Sequence, residues 1–336
     1  MYIRSIGNIS PQHSLDKDIF FQKKVNTDKN YFRSIEPDYD SFVDSKMIRR
    51  MSRIVKMGIA SASTCLRAAN VSEPAAILTA TAYGCLEDSA SFLRRMIEFE
   101  EKTLSPTAFI QSTHNTVGAQ IALLLKCHHY NNTIVHRSFS FENALVETKM
   151  LLAEGIGPVL VGAVDEITDD RHTILSRFGL YRNQGKNLTR IAGEGSSFFL
   201  LDGRPGNSPM AVVDDVQSFI QLKEAVAFQK ALSEFLERNE ANTGSIEFVL
   251  SSGLPADDKS FFRSNYFPKP ITAYPYTDLC GDYPTASGFA LWLATILVSE
   301  QRAPGWMKGP IFPMNKILVH SGDGNGNHSF ILISRV

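Results

Sequence analysis

The sequence predicts an α/β protein in which sheets lie sandwiched between helices, and three observations predict it. Short runs of β-branched and aromatic residues recur and are mostly apolar on both faces, as in strands covered on both sides. Helix-period apolar stripes lie between several of them. A polar, glycine-containing stretch at 169–186 interrupts the pattern, after which the same alternation resumes. The 336 residues, 43% hydrophobic and 21% charged, can bury a large core, which excludes a disordered or fibrous chain.

The predicted strand runs are 75–82, 133–139, 157–167, 196–201, 245–251, 316–320 and 329–335. Met51, Ile54, Val55, Gly58, Ile59 and Ala62 fall on one side of a helix, 141–154 forms another, and 221–240 is helix-rich. No period of about 20 to 50 residues repeats, which excludes a solenoid. The break near Arg171 predicts two similar halves, 1–170 and 171–336.

Thirty-four Lys and Arg stand against thirty-five Asp and Glu, a formal charge of −1, with no long run of one sign. Such a chain offers no electrostatic footprint for nucleic acid or an anionic membrane. Cys65, Cys85, Cys127 and Cys280 show no CxxC spacing and sit beside apolar or helical residues, so reduced, buried thiols and a cytoplasmic home are expected. Residues 1–6 lack a basic segment followed by an apolar one, and no 18-residue apolar run occurs, so neither secretion nor a membrane span is expected.

Among eight histidines no HExxH or HxxxH spacing appears, and the adjacent His128 and His129 point apart, so no metal is expected. His136 and Ser138, two apart at the end of a predicted strand, would share a face as base and nucleophile. The commoner reading of His136 is a half-buried ring satisfied by backbone carbonyls. The glycine-rich 321–328 lacks the Lys-Ser/Thr and following helix of a phosphate loop, so a tight turn between strands is predicted. Glu194, between Gly193 and Gly195, reads as a structural carboxylate accepting backbone N–H bonds.

The order of motifs carries more. Ser105-Pro106, then Ser112-Thr-His-Asn115-Thr-Val-Gly118, then Ser138-Phe-Ser-Phe-Glu-Asn-Ala144-Leu145, then Val161-Gly162-Ala-Val-Asp165-Glu resembles the N-terminal half of the β-ketoacyl synthases. Gly193-Glu-Gly195, Gly281, Ala286-Ser-Gly288 and Gly322-Asp-Gly324-Asn-Gly-Asn327 continue in the family's order. The resemblance implies a thiolase-like, five-layer αβαβα fold of two similar halves, usually dimeric, with no cofactor. It also implies a site at which a Cys attacks an acyl thioester, two His and a Lys assist decarboxylation of a malonyl unit, and a Phe gates the pocket.

At those positions this chain carries Ser138 for the Cys, Ser252 and Asp282 for the two His, Thr277 for the Lys and Asp323 for the Phe. Cys280, beside Asp282, lacks a strand-to-helix elbow and reads as a buried structural thiol. The resemblance is therefore strongest to a catalytically depleted, chain-length-factor-type member. Such a protein pairs with an active ketosynthase in a type II system making a fatty acyl, aryl polyene or related polyketide chain. Its partners would be that subunit, or a second copy of itself, and acyl carrier protein. Phe109, Ile110 and Gln111 are expected at the interface or the partner's tunnel. Two alternatives stay open: an acyltransferase or hydrolase using Ser138, and a non-catalytic homodimeric scaffold that binds acyl carrier protein.

Overall fold

The structure is a computed structural model that describes all residues except 28, 29, 103, 182–189, 253–272, 308, 310 and 311. Its strands are β1 (Tyr2–Ile9), β2 (Ala76–Ala80), β3 (Tyr130–Ile134), β4 (Val159–Asp165), β5 (Gly195–Asp202), β6 (Ala211–Phe219), β7 (Phe248–Ser251), β8 (Ala273–Pro275), β9 (Lys316–Gly322) and β10 (His328–Ser334). The helices are α1 (Lys17–Gln22), α2 (Ser45–Ile48), α3 (Arg53–Ala68), α4 (Leu86–Glu98), α5 (Pro106–Gln111), α6 (Thr116–Leu125), α7 (Ser140–Ala153), α8 (Asp169–Arg177), α9 (Ala225–Arg238), α10 (Thr277–Cys280) and α11 (Ser287–Glu300).

The strand order is β3-β2-β4-β5-β1-β6-β10-β9-β7-β8. It divides into a first group, β3-β2-β4-β5-β1, and a second that, read from the far end as β8-β7-β9-β10-β6, repeats the first with every label displaced by five. The two groups meet only where Tyr2 pairs with Val212 and Ile3 with Ala211. Strands β2, β3 and β4 run parallel, as do β7, β8 and β9, while β5, β1, β6 and β10 pair antiparallel. The exchange from one group to the other falls between β5 and β6; Arg171 lies within α8, between β4 and β5, which pair directly.

Three apolar clusters explain the layering. Helix α3 presents Ile54, Val55, Ile59 and Ala62 to Ile77, Leu160, Phe198 and Leu200 on the outer face of the first group. On the far side, α9 sets Phe228, Leu232 and Phe235 against Val249, Leu318 and Phe330. Between the groups lie α7 and α11, each touching strands of both. The residues of α11 from Ser287 to Val298 are all buried, so it carries no polar stripe. The result is the thiolase-like five-layer arrangement, helix-sheet-helix-sheet-helix.

Two differences from the sequence expectation bear on the site. The third strand ends at Ile134, and the residues expected to extend it form a 3-10 turn, Arg137–Phe139. Strands β1 and β6 escape the hydrophobic pattern because polar residues such as Arg4, Asn8, Asp214 and Asp215 interrupt it, and β8 because it is only three residues long. No helix among the described residues is long and apolar enough to cross a membrane.

Candidate functional site

The N-termini of the central helices α7 and α11 open on one cavity of about 200 Å³. Ser138, Ser252, Thr277, Asp282 and Asp323, singled out in the sequence from five separated stretches, all line it. Around them stand Tyr83, Tyr181, Tyr276 and Tyr283, with Arg190 and Ser287.

Each reaches the cavity for a local reason. Ser138 sits on an elbow between β3 and α7 where Arg137 adopts φ 50°, the left-handed region a non-glycine residue rarely enters. Ser140 Oγ clamps this turn, accepting from the His136 N–H and donating to the Arg137 carbonyl, both at 2.8 Å. Ser252, at the end of β7, accepts the Gly322 N–H at 2.8 Å and ties that strand to the β9–β10 turn. Asp323 folds its carboxylate back into this turn, accepting from the Asn325 N–H at 2.7 Å and from Asn327 Nδ2 at 2.8 Å. Gly324 and Gly326 take φ 81° and 85° there, which makes the segment the tight strand-to-strand turn expected of its glycines.

Asp282 is set by a close backbone crossing. Its N–H donates to the Ile191 carbonyl at 2.8 Å, and its carbonyl accepts from the Gly193 N–H at 3.0 Å. A Cβ on Gly193 would stand 2.0 Å from the Cys280 carbonyl, so only glycine permits the approach. Burial raises the pKa of Asp282, and Arg190 and Arg171 pull it back down. Arg190 Nη1 lies 3.5 Å from its Oδ2. Thr277 opens α10 on the same wall.

Glu194 behaves as a structural carboxylate. Fully buried, it accepts the Ser34 and Ile167 N–H groups and both terminal nitrogens of Arg53, at 2.5 to 2.9 Å. Asp165 likewise accepts from Thr81, Thr285 and the Ala82 N–H, at 2.8 to 3.0 Å, which fixes the chain entering Tyr83.

The shared strand face expected for Ser138 and His136 is absent from the structure. The 3-10 turn breaks the alternation that would have put both side chains on one face, and the exposed His136 ring pairs with Asn143 Nδ2 at 2.7 Å through its Nδ1. Cys280 sits as the buried thiol expected: its Sγ faces the Gly281 and Tyr276 carbonyls, and desolvation pushes the thiol well above its ordinary pKa. Phe109, Ile110 and Gln111 do not line the cavity. They lie on α5, where Phe109 and Ile110 are 58% and 63% exposed and Gln111 Nε2 donates to the Arg50 carbonyl at 2.5 Å.

Of the twenty described lining residues, none is Cys, His or Lys. No group of three or more His, Cys, Asp or Glu among the described residues is arranged to hold a metal ion. Arg190, the four tyrosines and Ser287 were not found from sequence. They come from loops and a uniformly apolar helix, where no periodicity marks a cavity wall.

Residues 27–184 match the family model for the beta-ketoacyl synthase N-terminal domain. Similar solved structures include the ishigamide ketosynthase/chain length factor, at 16% identity and TM-score 0.78. The AntDE:AntF assembly, described as a type II PKS acyl-carrier protein in complex with its ketosynthase bound to the hexaketide, gives 14% and 0.76. A beta-ketoacyl synthase from Burkholderia phymatum STM815 gives 12% and 0.77. Each similarity covers 100% of this chain and 99% of the other. No curated protein matches the chain.

Proposed function

We propose that this chain, which carries the β-ketoacyl synthase N-terminal domain over residues 27–184 and the ketosynthase fold throughout, is a non-condensing partner of an active ketosynthase. In that role it helps set the length of an acyl or polyketide chain carried by acyl carrier protein. One observation carries the reading. The cavity at the head of α7 and α11 is lined by Ser138, Ser252, Thr277, Asp282 and Asp323 where the resembled family uses a thiol, two imidazoles, an amine and an aromatic gate.

The chemistry of those substitutions is one-directional. A serine hydroxyl without a base is a weak nucleophile, and the imidazole of His136 is engaged with Asn143. Decarboxylation builds negative charge on an enolate, which calls for donors or cations at that point. Asp282 places a carboxylate on that wall instead, paired with Arg190.

Shape is what such a subunit contributes. Apolar side chains stand exposed at Leu93 and Ile97 of α4, at Phe109 and Ile110 of α5, which packs on α4, and at Tyr130 of β3, the terminal strand of the order. A terminal strand and exposed apolar side chains support pairing with another subunit. Phe109 and Ile110 would then reach the partner's tunnel, where each accommodated methylene is worth about 0.8 kcal/mol and a blocked one forfeits it.

Co-expression with a ketosynthase encoded beside it, followed by native mass spectrometry, tests the reading. A one-to-one heterodimer is expected. Self-dimers alone, with product length unchanged when the chain is omitted, would leave the homodimeric scaffold as the better account.

A further inference from the structure

Behind the cavity wall lies a buried carboxyl that the proposed role does not use. Glu142, on α7 one helical turn beyond Ser138, is fully buried. Its Oε1 accepts from Ser329 Oγ on β10 at 2.9 Å, while its Oε2 makes no hydrogen bond. Ser287, at the start of α11, is 2% exposed and lines the cavity, and its Oγ also makes none. The hydroxyl nevertheless stands close enough to act on the Glu142 carboxyl. Two buried, unpartnered polar atoms on central helices that pack against each other are costly unless something joins them.

We propose that Glu142 and Ser287 form a proton-binding pair in the cavity wall, closed when Glu142 Oε2 carries a proton and parted when that proton leaves to solvent. A protonated carboxyl supplies the one donor the cluster lacks: Oε2–H donates to Ser287 Oγ, and Oε1 keeps its bond from Ser329. Once ionised, the carboxylate has two hydroxyl donors at most and no counter-ion.

The surroundings favour the neutral form. Desolvation raises the Glu142 pKa to about 7, with its own backbone N–H, Ser329 and Ser287 opposing. The groups facing it are Ser329 from β10, Ser287 from α11 and the Tyr276 phenol from α10, which burial pushes far above its usual range and keeps neutral. Farther along α7, Lys149 is committed to Asp215 at 2.8 Å. The consequence for the cavity is one further negative charge, behind the Ser287 side of its wall, as pH rises through neutrality, so an anionic occupant is held less well.

The test is infrared difference spectroscopy on the full chain, titrated from about pH 5 to about pH 9. A carbonyl band of a buried protonated carboxyl is expected to fade with a midpoint near 7 and to be absent in Glu142→Gln. Glu166, also raised to about 7 by burial, is separated by Glu166→Gln, in which the Glu142 band persists. In Ser287→Ala the band moves to higher frequency, because the carboxyl has lost its acceptor. A midpoint in the ordinary carboxylate range, or a band indifferent to Ser287→Ala, overturns the pair.

Discussion

Arg190 Nη1 stands 3.5 Å from Asp282 Oδ2 on the cavity wall, so the principal cation described there faces a carboxylate. Arg171, behind Tyr83 and Tyr181, adds a second pull on the same acid. The pair leaves little positive charge for an enolate and explains how a carboxylate can sit on this largely buried wall.

Removing the guanidinium exposes the burial term. In Arg190→Ala the pKa of Asp282 rises further, because desolvation raises it and Arg190 is the largest opposing influence. A carboxyl-detected NMR titration of the two proteins reads the shift.

The Arg53–Glu194 contact is a scaffold bond, and its loss should be felt globally. With Glu194 fully buried, Arg53→Ala strands a carboxylate that keeps only the Ser34 and Ile167 N–H donors. Breaking such a pair from one side costs about 3 kcal/mol or more. Urea denaturation of Arg53→Ala should show a lower midpoint with an unchanged slope.

A buried histidine pair makes the second sheet group acid-sensitive. His320 Nε2 lies 2.9 Å from His328 Nδ1, Ser251 Oγ meets His320 Nδ1 at 3.0 Å, and Phe228 packs edge-on against both rings. Burial, then the neighbouring imidazole, hold the His320 pKa well below 6.5. The unfolded chain therefore takes up a proton below about pH 6.5 while the folded one does not, so this stability is present above that pH and is lost as pH falls. The loss approaches about 1.4 kcal/mol per pH unit for one such group. Glu142 and Glu166 act oppositely, costing stability as pH rises from 4.5 toward 7. The readout is consequently the difference between the protein and His320→Gln, whose denaturation midpoint should depend less on pH on the acid side.

Phe109 and Ile110 separate partner binding from folding. Phe109 rests on Phe92 of α4 with ring centroids 5.6 Å apart, and Ser89 Oγ donates to the Ser112 carbonyl at 2.9 Å, anchoring the end of α5. Both side chains are mostly exposed, so Phe109→Ala with Ile110→Ala should leave the thermal midpoint nearly unchanged. Loss of two apolar anchors should weaken heterodimer formation about tenfold or more, measurable by calorimetric titration with the ketosynthase subunit.

How much was legible follows from where the signal lay. Strands β2, β4, β5, β7, β9 and β10 are apolar runs and stand where periodicity put them, as do α3, α7 and α9. Strand β6 did not announce itself, because Asp214 and Asp215 sit at its centre, with Asp215 neutralised by Lys149 and Arg238 from two helices distant in sequence. Motif order located Ser138, Ser252, Thr277, Asp282 and Asp323, and these converge on one cavity. The strand face expected to hold Ser138 and His136 together is missing because the strand stops at Ile134 and a turn with left-handed Arg137 follows. Glu142 lay unseen within a helical stripe, since one carboxylate among apolar residues gives no hint of a partner supplied by α11.

The central claim is that the cavity has kept the shape of a condensing site without its reactive groups. The direct measurement is carbon dioxide release from malonyl acyl carrier protein by the purified chain alone, alongside Ser138→Ala. The account predicts release at the background rate from both. Turnover by the unaltered chain that disappears in Ser138→Ala would contradict it.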